Sequence, residues 1–315
     1  MNKTIRRAIF SAAGISAGAL LAAYAVYRRE MRDLAKQRRA GSVLVRTQQG
    51  VVEYTEVGQG PPVLIIHGAG GGYPLGKVFA LPGSGLRFIC PSRPGYLRTP
   101  LESGATYEAQ ADALAALLDT LEIERVLVYA QSAGGPVALQ FIARHSLRCQ
   151  GLLMLSAASQ PIASFPPRAS AFVRTMRLGY ADFLYWLGLK TRLVSMMADP
   201  GFRTQAGALP EEKAALYQMM GSLLPISASL AGIINEMEQS VAMPPLSLSD
   251  VRTPTLVIHG TADSMMSFAH GEWSAENIPG ATLLPVEGGD HLCFITHREK
   301  VQPAVFSFLK EHATK

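Results

Sequence analysis

The chain has 315 residues, 48% of them hydrophobic and 17% charged, with a formal net charge of +5. That is enough apolar material for one large core or two ordinary ones, and it excludes a disordered chain. Three widely spaced cysteines (Cys90, Cys149, Cys293) with no Cys-x-x-Cys pair argue against a disulfide scaffold and a thiolate zinc site.

The positive charge is concentrated at the N-terminus. Residues 1–40 carry nine Lys and Arg against Glu30 and Asp33, a net of +7, which leaves the rest of the chain at −2. That remainder is too acidic for a surface that tracks nucleic-acid phosphates, so no nucleic-acid partner is expected. The basic residues bracket Ala8 to Tyr27, an uncharged run of twenty residues, long enough as a helix to cross a hydrocarbon core. The expectation is a single-pass N-terminal membrane anchor with its basic linker over residues 1–40. Arg28, Arg29, Arg32, Lys36, Arg38 and Arg39 follow the run and oppose translocation, so the domain behind them is expected in the cytoplasm. The alternative is a signal peptide cleaved near Ala23-Tyr24-Ala25 and a secreted or periplasmic protein. Gly14-x-x-x-Gly18 has the spacing of a helix-pairing motif, which in so Ala/Gly-rich a segment carries little weight.

After the linker, Val43 to Arg46 and Val51 to Glu56 are β-branched runs joined by Gln48-Gln49-Gly50 and predict an antiparallel hairpin. Short apolar runs follow at Val63 to Ile66, Leu86 to Ile89, Val126 to Tyr129, Leu152 to Leu155 and Thr255 to Ile258, as expected of strands buried on both faces. Between two of them, Tyr107 to Leu121 places Leu114, Leu117, Leu118 and Leu121 at helical spacing behind Thr106 as N-cap. Alternation of strand and helix predicts an α/β fold, a mostly parallel sheet covered by helices on both faces and opened by the hairpin. Residues 41–160 and 250–315 form this core. Residues 161–249 lack strand-like runs and predict an inserted helical cap, in which Met176, Met196, Met197, Met219, Met220, Met237 and Met243 offer an adaptable apolar surface as well as ordinary packing.

Chemistry concentrates around Ser132. Tyr129-Ala130-Gln131-Ser132-Ala133-Gly134-Gly135 follows a predicted strand and opens a predicted helix. A serine hydroxyl becomes a useful nucleophile when it is held away from the backbone beside a base, and a tight strand-to-helix turn achieves this only with small flanking residues. Ala130, Ala133 and Gly134 meet that need.

Here the sequence resembles the α/β-hydrolase superfamily, whose nucleophile elbow reads Gly-x-Ser-x-Gly, with Ala130 in place of the first glycine. The resemblance covers roughly residues 42–312 apart from the cap. It implies that His67-Gly68-Ala69-Gly70-Gly71-Gly72 is the oxyanion loop, with the N–H groups of Ala69 and Ala133 as donors. It makes Cys90 to Tyr96 a structural turn beside the site floor. It implies that Asp263, in His259-Gly260-Thr261-Ala262-Asp263, orients the base, and that His291, after Gly288-Gly289-Asp290, is that base, in the chain order Ser, Asp, His. Ser156 and Ser159 supply no carboxylate at the other acid position known among relatives. Asp290 is set aside because neighbours on one turn point apart, while His67 and His259 are expected to hydrogen-bond locally.

Gly71 to Lys77 has the spacing of a phosphate loop, but Val78 offers no hydroxyl for Mg²⁺ and Pro74 lacks an amide hydrogen, so no nucleotide, metal or other cofactor is expected. The implied activity is that of a serine hydrolase (carboxylesterase- or lipase-like) acting on an ester with an apolar acyl group. The alternatives are carbon–carbon bond hydrolysis of the meta-cleavage type and a catalytically silent binding protein on the same scaffold.

Overall fold

The computed structural model describes residues 3–162, 173–191 and 209–313, with side chains from residue 18 onward. Behind an N-terminal helix, α1 (Lys3–Ala40), the chain enters a hairpin of β1 (Val43–Thr47) and β2 (Gly50–Val57) in the register Val43 to Tyr54. Its turn is closed by Thr47, whose hydroxyl accepts from the Gln49 amide and donates to the Gly50 carbonyl.

Each of the other predicted apolar runs forms a strand, β3 (Pro62–Ile66), β4 (Arg87–Pro91), β5 (Val126–Gln131), β6 (Cys149–Leu155) and β7 (Thr255–Gly260), and β8 (Thr282–Val286) joins them at the sheet's far edge. The sheet order is β1-β2-β4-β3-β5-β6-β7-β8, antiparallel at β1-β2 and β2-β4 and parallel from β4 onward. The chain steps one way from β3 to β4 and then back across to β5, so the order reverses beside β3. In open sheets such a reversal leaves a crevice at the carboxyl ends of the strands.

Side chains alternate across the sheet, and the two faces are filled from different helices. Leu64, Ile66, Val128, Leu152, Met154 and Val257 meet Leu114, Leu117 and Leu118 of α3 (Tyr107–Thr120) and Val137, Phe141 and Ile142 of α4 (Gly135–Arg144). Val63, Ile65, Leu127, Tyr129, Leu153 and Ile258 meet Phe79 of α2 (Tyr73–Phe79) and, from the last helix of the chain (Arg298–His312), Val301, Val305 and Leu309. Each such side chain, fully buried, contributes about 1.5–3 kcal/mol of transfer free energy. Thr106 caps α3 as expected, its hydroxyl accepting from the Ala109 amide at 3.2 Å.

Between β6 and β7 lie α5 (Ala181–Lys190), α6 (Pro210–Ser222) and α7 (Leu230–Ala242), with no strand among the described residues of the insertion. Met196 and Met197 fall outside the described residues. A buried ion pair ties the insertion to the sheet. Arg93, in the turn after β4, sends Nη2 to both carboxylate oxygens of Glu236 on α7 at 2.9 Å and Nη1 to Gln110 Oε1 at 3.2 Å, and the Tyr96 hydroxyl donates to the same carboxylate.

The span expected over Ala8 to Tyr27 falls within α1. Its carboxyl end packs on protein: Tyr24 and Tyr27 meet the Phe183 ring at 5.3 and 5.4 Å, and Tyr27 meets Trp186 at 5.7 Å. Glu30 then accepts from Trp186 Nε1 at 2.8 Å and Lys190 Nζ at 2.9 Å, so α1 leans on α5 through an aromatic cluster with a polar lock. Among the described residues no single helix is long and apolar enough to cross a membrane, and the side chains of the first half of the expected span lie outside them. The last turn of α1 also touches the core, where Tyr73 donates to the Arg38 carbonyl at 2.9 Å, and the cap, where Arg38 donates to the Ser222 carbonyl at 2.7 Å.

Candidate active site

The turn after β5 is built around one unfavourable residue. Ser132 has a φ of 51°, in the left-handed region where a β-carbon costs roughly 1 kcal/mol or more. The turn holds because its neighbours leave no bulk. A β-carbon on Gly134 would run into the Ile66 carbonyl, and one on Gly135 into the carbonyl of Ala158, whose amide in turn donates to the Ser132 carbonyl at 2.9 Å. Ala130, where the family pattern has glycine, is fully buried in the sheet, so a methyl group fits there. The geometry lifts the Ser132 hydroxyl above the carboxyl edge of the sheet.

Two other strand ends supply its partners. His291, in the loop after β8, places Nε2 3.0 Å from Ser132 Oγ and Nδ1 2.8 Å from Oδ2 of Asp263, in the loop after β7. An ionised carboxylate only accepts, so Nδ1 carries the hydrogen and the Nε2 lone pair faces the serine hydroxyl. Asp263 is fixed in turn by the amides of Met265 and Met266, which donate to Oδ1 at 2.9 and 2.8 Å. Burial alone would push this carboxyl up. Hydrogen bonds from His259 and His291, the nearby His291 charge and the Met266 amide more than offset it and hold the group well below the usual carboxylate range. The three side chains lie within 9% exposure or less, which shields their interactions from water.

A family comparison matches residues 61–298 to the alpha/beta hydrolase fold. The chain belongs to the α/β-hydrolase family. An alpha/beta hydrolase fold protein from Nakamurella multipartita aligns at 30% identity with a TM-score of 0.69, covering 86% of this chain and 98% of that one. An uncharacterized hydrolase, YcgS, from Bacillus subtilis is 28% identical over 260 residues, covering 78% of this chain and 90% of the relative. A pimeloyl-[acyl-carrier protein] methyl ester esterase from Aromatoleum aromaticum is 29% identical over 249 residues, covering 76% and 94%.

In this hydrolase the loop after β3 lies directly against the elbow. A β-carbon on Gly68 would approach Ser132 Cβ to 2.9 Å, so only glycine lets the loop backbone come so close. Ala69 follows it on the exposed side of the loop, and Ala133 is the residue after the serine. His67 braces the loop. Its Nδ1–H donates to the Gly68 carbonyl at 2.7 Å and its Nε2 accepts from the Arg93 amide at 3.0 Å, which fixes the neutral tautomer. Burial, and then the Arg93 charge, hold the His67 ring well below the ordinary histidine range, so it does not compete as a charged group.

The remaining titratable groups named in the sequence stand apart from the hydroxyl. Asp290 is turned away, its Oδ1 accepting from the Leu292 amide at 2.9 Å and from Thr296. His145 pairs with Asp112, and His270 Nδ1 accepts from the amides of Ser159 and Gln160. Cys90, Cys149 and Cys293 are buried, and burial pushes each thiol up to about 12, which removes them as rival nucleophiles.

Helix α6 roofs this edge with apolar side chains. Met219 and Met220 cluster with Leu216 and with Leu292, the residue after His291, and Leu223 reaches the position of Gly70 in the loop after β3. The Arg93–Glu236 pair escaped the sequence reading, which took Cys90 to Tyr96 only as a structural turn, because the partner lies 143 positions away.

Proposed function

We propose that this hydrolase is a serine esterase with Ser132 as nucleophile, His291 as general base and then acid, and Asp263 as the group that orients the imidazole. The reading is carried by the unbroken relay from Asp263 to His291 to the Ser132 hydroxyl, with each hydrogen assigned by what its partner can accept. Ser132 Oγ attacks the ester carbonyl carbon as its proton passes to His291 Nε2. The carbonyl π electrons move onto oxygen, where N–H groups of Ala69 and Ala133 hold the charge; each such donor is worth roughly 10²–10³ in rate. His291 then protonates the departing alkoxide. Water, deprotonated by His291, cleaves the acyl-enzyme and restores the serine.

An apolar acyl group is the substrate class that fits the Met219, Met220, Leu223 and Leu292 surroundings, since methionine accommodates irregular hydrophobic chains. The resemblance to a methyl ester esterase points to the same bond type. The uncharged run in α1 and the arginines behind it support membrane attachment with the catalytic domain on the cytoplasmic side; release of the full chain by alkaline carbonate washing of membranes would refute that attachment.

The test of the chemistry is Ser132→Ala assayed on p-nitrophenyl esters of increasing acyl length. Loss of about 10³-fold or more in kcat with unchanged circular dichroism is expected, together with loss of fluorophosphonate labelling. Undiminished turnover in that variant removes Ser132 from the mechanism.

A further inference from the structure

Asp263 is approached by two histidines. His259 lies in β7, paired with Pro285 one residue before the strand ends and four residues before Asp263, and is fully buried. Its Nε2 lies 2.8 Å from the Met266 carbonyl and 3.4 Å from Asp263 Oδ2. A carbonyl oxygen can only accept, so Nε2 carries a hydrogen, and that hydrogen is forked between the carbonyl and the carboxylate. The ring has a seat made for it. A β-carbon on Gly271 of the next helix (Ala269–Asn277) would lie 2.9 Å from His259 Cβ and 3.1 Å from its Cγ, and Phe268 meets the ring edge-on at 6.0 Å. With the Met265 and Met266 amides on Oδ1, and His291 and His259 on Oδ2, both oxygens of the carboxylate are doubly engaged.

We propose that His259 is a positioning residue for the reaction: its Nε2–H holds Asp263 Oδ2 in line with His291 and draws negative charge from the carboxylate, limiting how strongly the His291 imidazolium is stabilised. The proposal rests on the triad reading above. A donor on Oδ2 shares the electron density that otherwise faces His291 Nδ1. Removing it leaves a more basic carboxylate beside the imidazole, so His291 holds its proton to higher pH. The other groups around the relay are Asp290, already engaged by Leu292 and Thr296, Cys293, whose thiol is raised by burial, and His270, bound to the Ser159 and Gln160 amides. A purely structural role, bracing the loop through the Met266 carbonyl, would change stability and leave the pH profile in place.

The test is the pH dependence of kcat/KM on a short p-nitrophenyl ester for the full chain carrying His259→Leu, His259→Asn or His259→Gln, with Ser132→Ala alongside. Glutamine can put an amide N–H where Nε2 stood; asparagine is too short to reach and leucine has no donor. The acid limb of the Leu and Asn variants is expected to move up by about 0.5–1 pH unit, with kcat/KM about 10-fold or more below the wild type at its optimum. The Gln variant is expected to keep the wild-type limb and most of the rate. Should leucine prevent folding, the contrast between Asn and Gln carries the same information. An unmoved limb in Asn or Leu, or a Gln variant displaced as far as Asn, overturns the proposal while an inactive Ser132→Ala leaves the triad standing. An active Ser132→Ala overturns both.

Discussion

Replacing Glu236 by leucine is expected to be among the most damaging single changes available outside the site. The substitution puts an apolar side chain of similar size on α7, strips Arg93 of both 2.9 Å contacts and leaves the Tyr96 hydroxyl without its acceptor. Arg93 is fully buried, so water does not replace what is lost. Stranding one member of a buried ion pair costs about 3–5 kcal/mol, and an orphaned hydroxyl about 1–3 kcal/mol more. Since the two share one acceptor the terms overlap, and a total of roughly 4–6 kcal/mol is expected. At about 2.1 cal/mol/K of unfolding entropy per residue, a chain of this length loses about 1.5 °C per kcal/mol, which puts the fall in Tm at roughly 6–9 °C. The assay is thermal unfolding followed by circular dichroism for Glu236→Leu, Arg93→Met and the double variant. The double variant removes the stranded charge and is expected to recover most of the loss. A single variant within about 1 kcal/mol of wild type, or a double variant no better than the single, would refute the reasoning.

Gly134→Ala is expected to destabilise the chain by about 1–3 kcal/mol and to cut kcat sharply, because the added methyl collides with the Ile66 carbonyl at the root of the loop after β3; denaturant midpoints and ester turnover check both. Acid stability should report His270, which burial depresses to about 4 from an ordinary value of 6.5. The unfolded chain then binds the extra proton, so this contribution is complete above about pH 6.5 and fades as the pH falls toward about 4. Discounted for partial exposure, it amounts to on the order of 1 kcal/mol. His67, also depressed, adds to the same trend, so the diagnostic is the difference between wild type and His270→Asn, which should narrow as the pH drops through that window.

The sheet was legible because its strands are buried on both faces and therefore spell unbroken apolar runs such as Val63 to Ile66 and Leu152 to Leu155, bounded by turn residues. The elbow was legible for a similar reason: steric demands on Ala130, Ala133 and Gly134 are local and leave a local trace. Asp263 and His291 came from the family resemblance, and it was the fold that brought them within 3.0 Å of their partners. What escaped was the choice of side-chain partner, remote in the chain for Arg93, Tyr24 and Tyr27 and only four residues away for His259. Arg93 stood in a turn read only as structural, and it forms a buried ion pair with Glu236. His259 looked like a local contact and also reaches the carboxylate. Tyr24 and Tyr27 closed an uncharged stretch read as lipid-facing, and they face Phe183 and Trp186, because charge counting detects where a helix is apolar but not what it leans against.

Helix α1 is a strut with one foot on the core, at Tyr73, and its flank on the cap, at Phe183, Trp186 and Ser222. Any pull on the N-terminal end is therefore delivered to the cap as well as to the core. Trimming the chain back to residue 41, an obvious choice for making it easier to handle, would strip the supporting wall from α5. A preparation shortened in that way would present a slackened roof over the crevice.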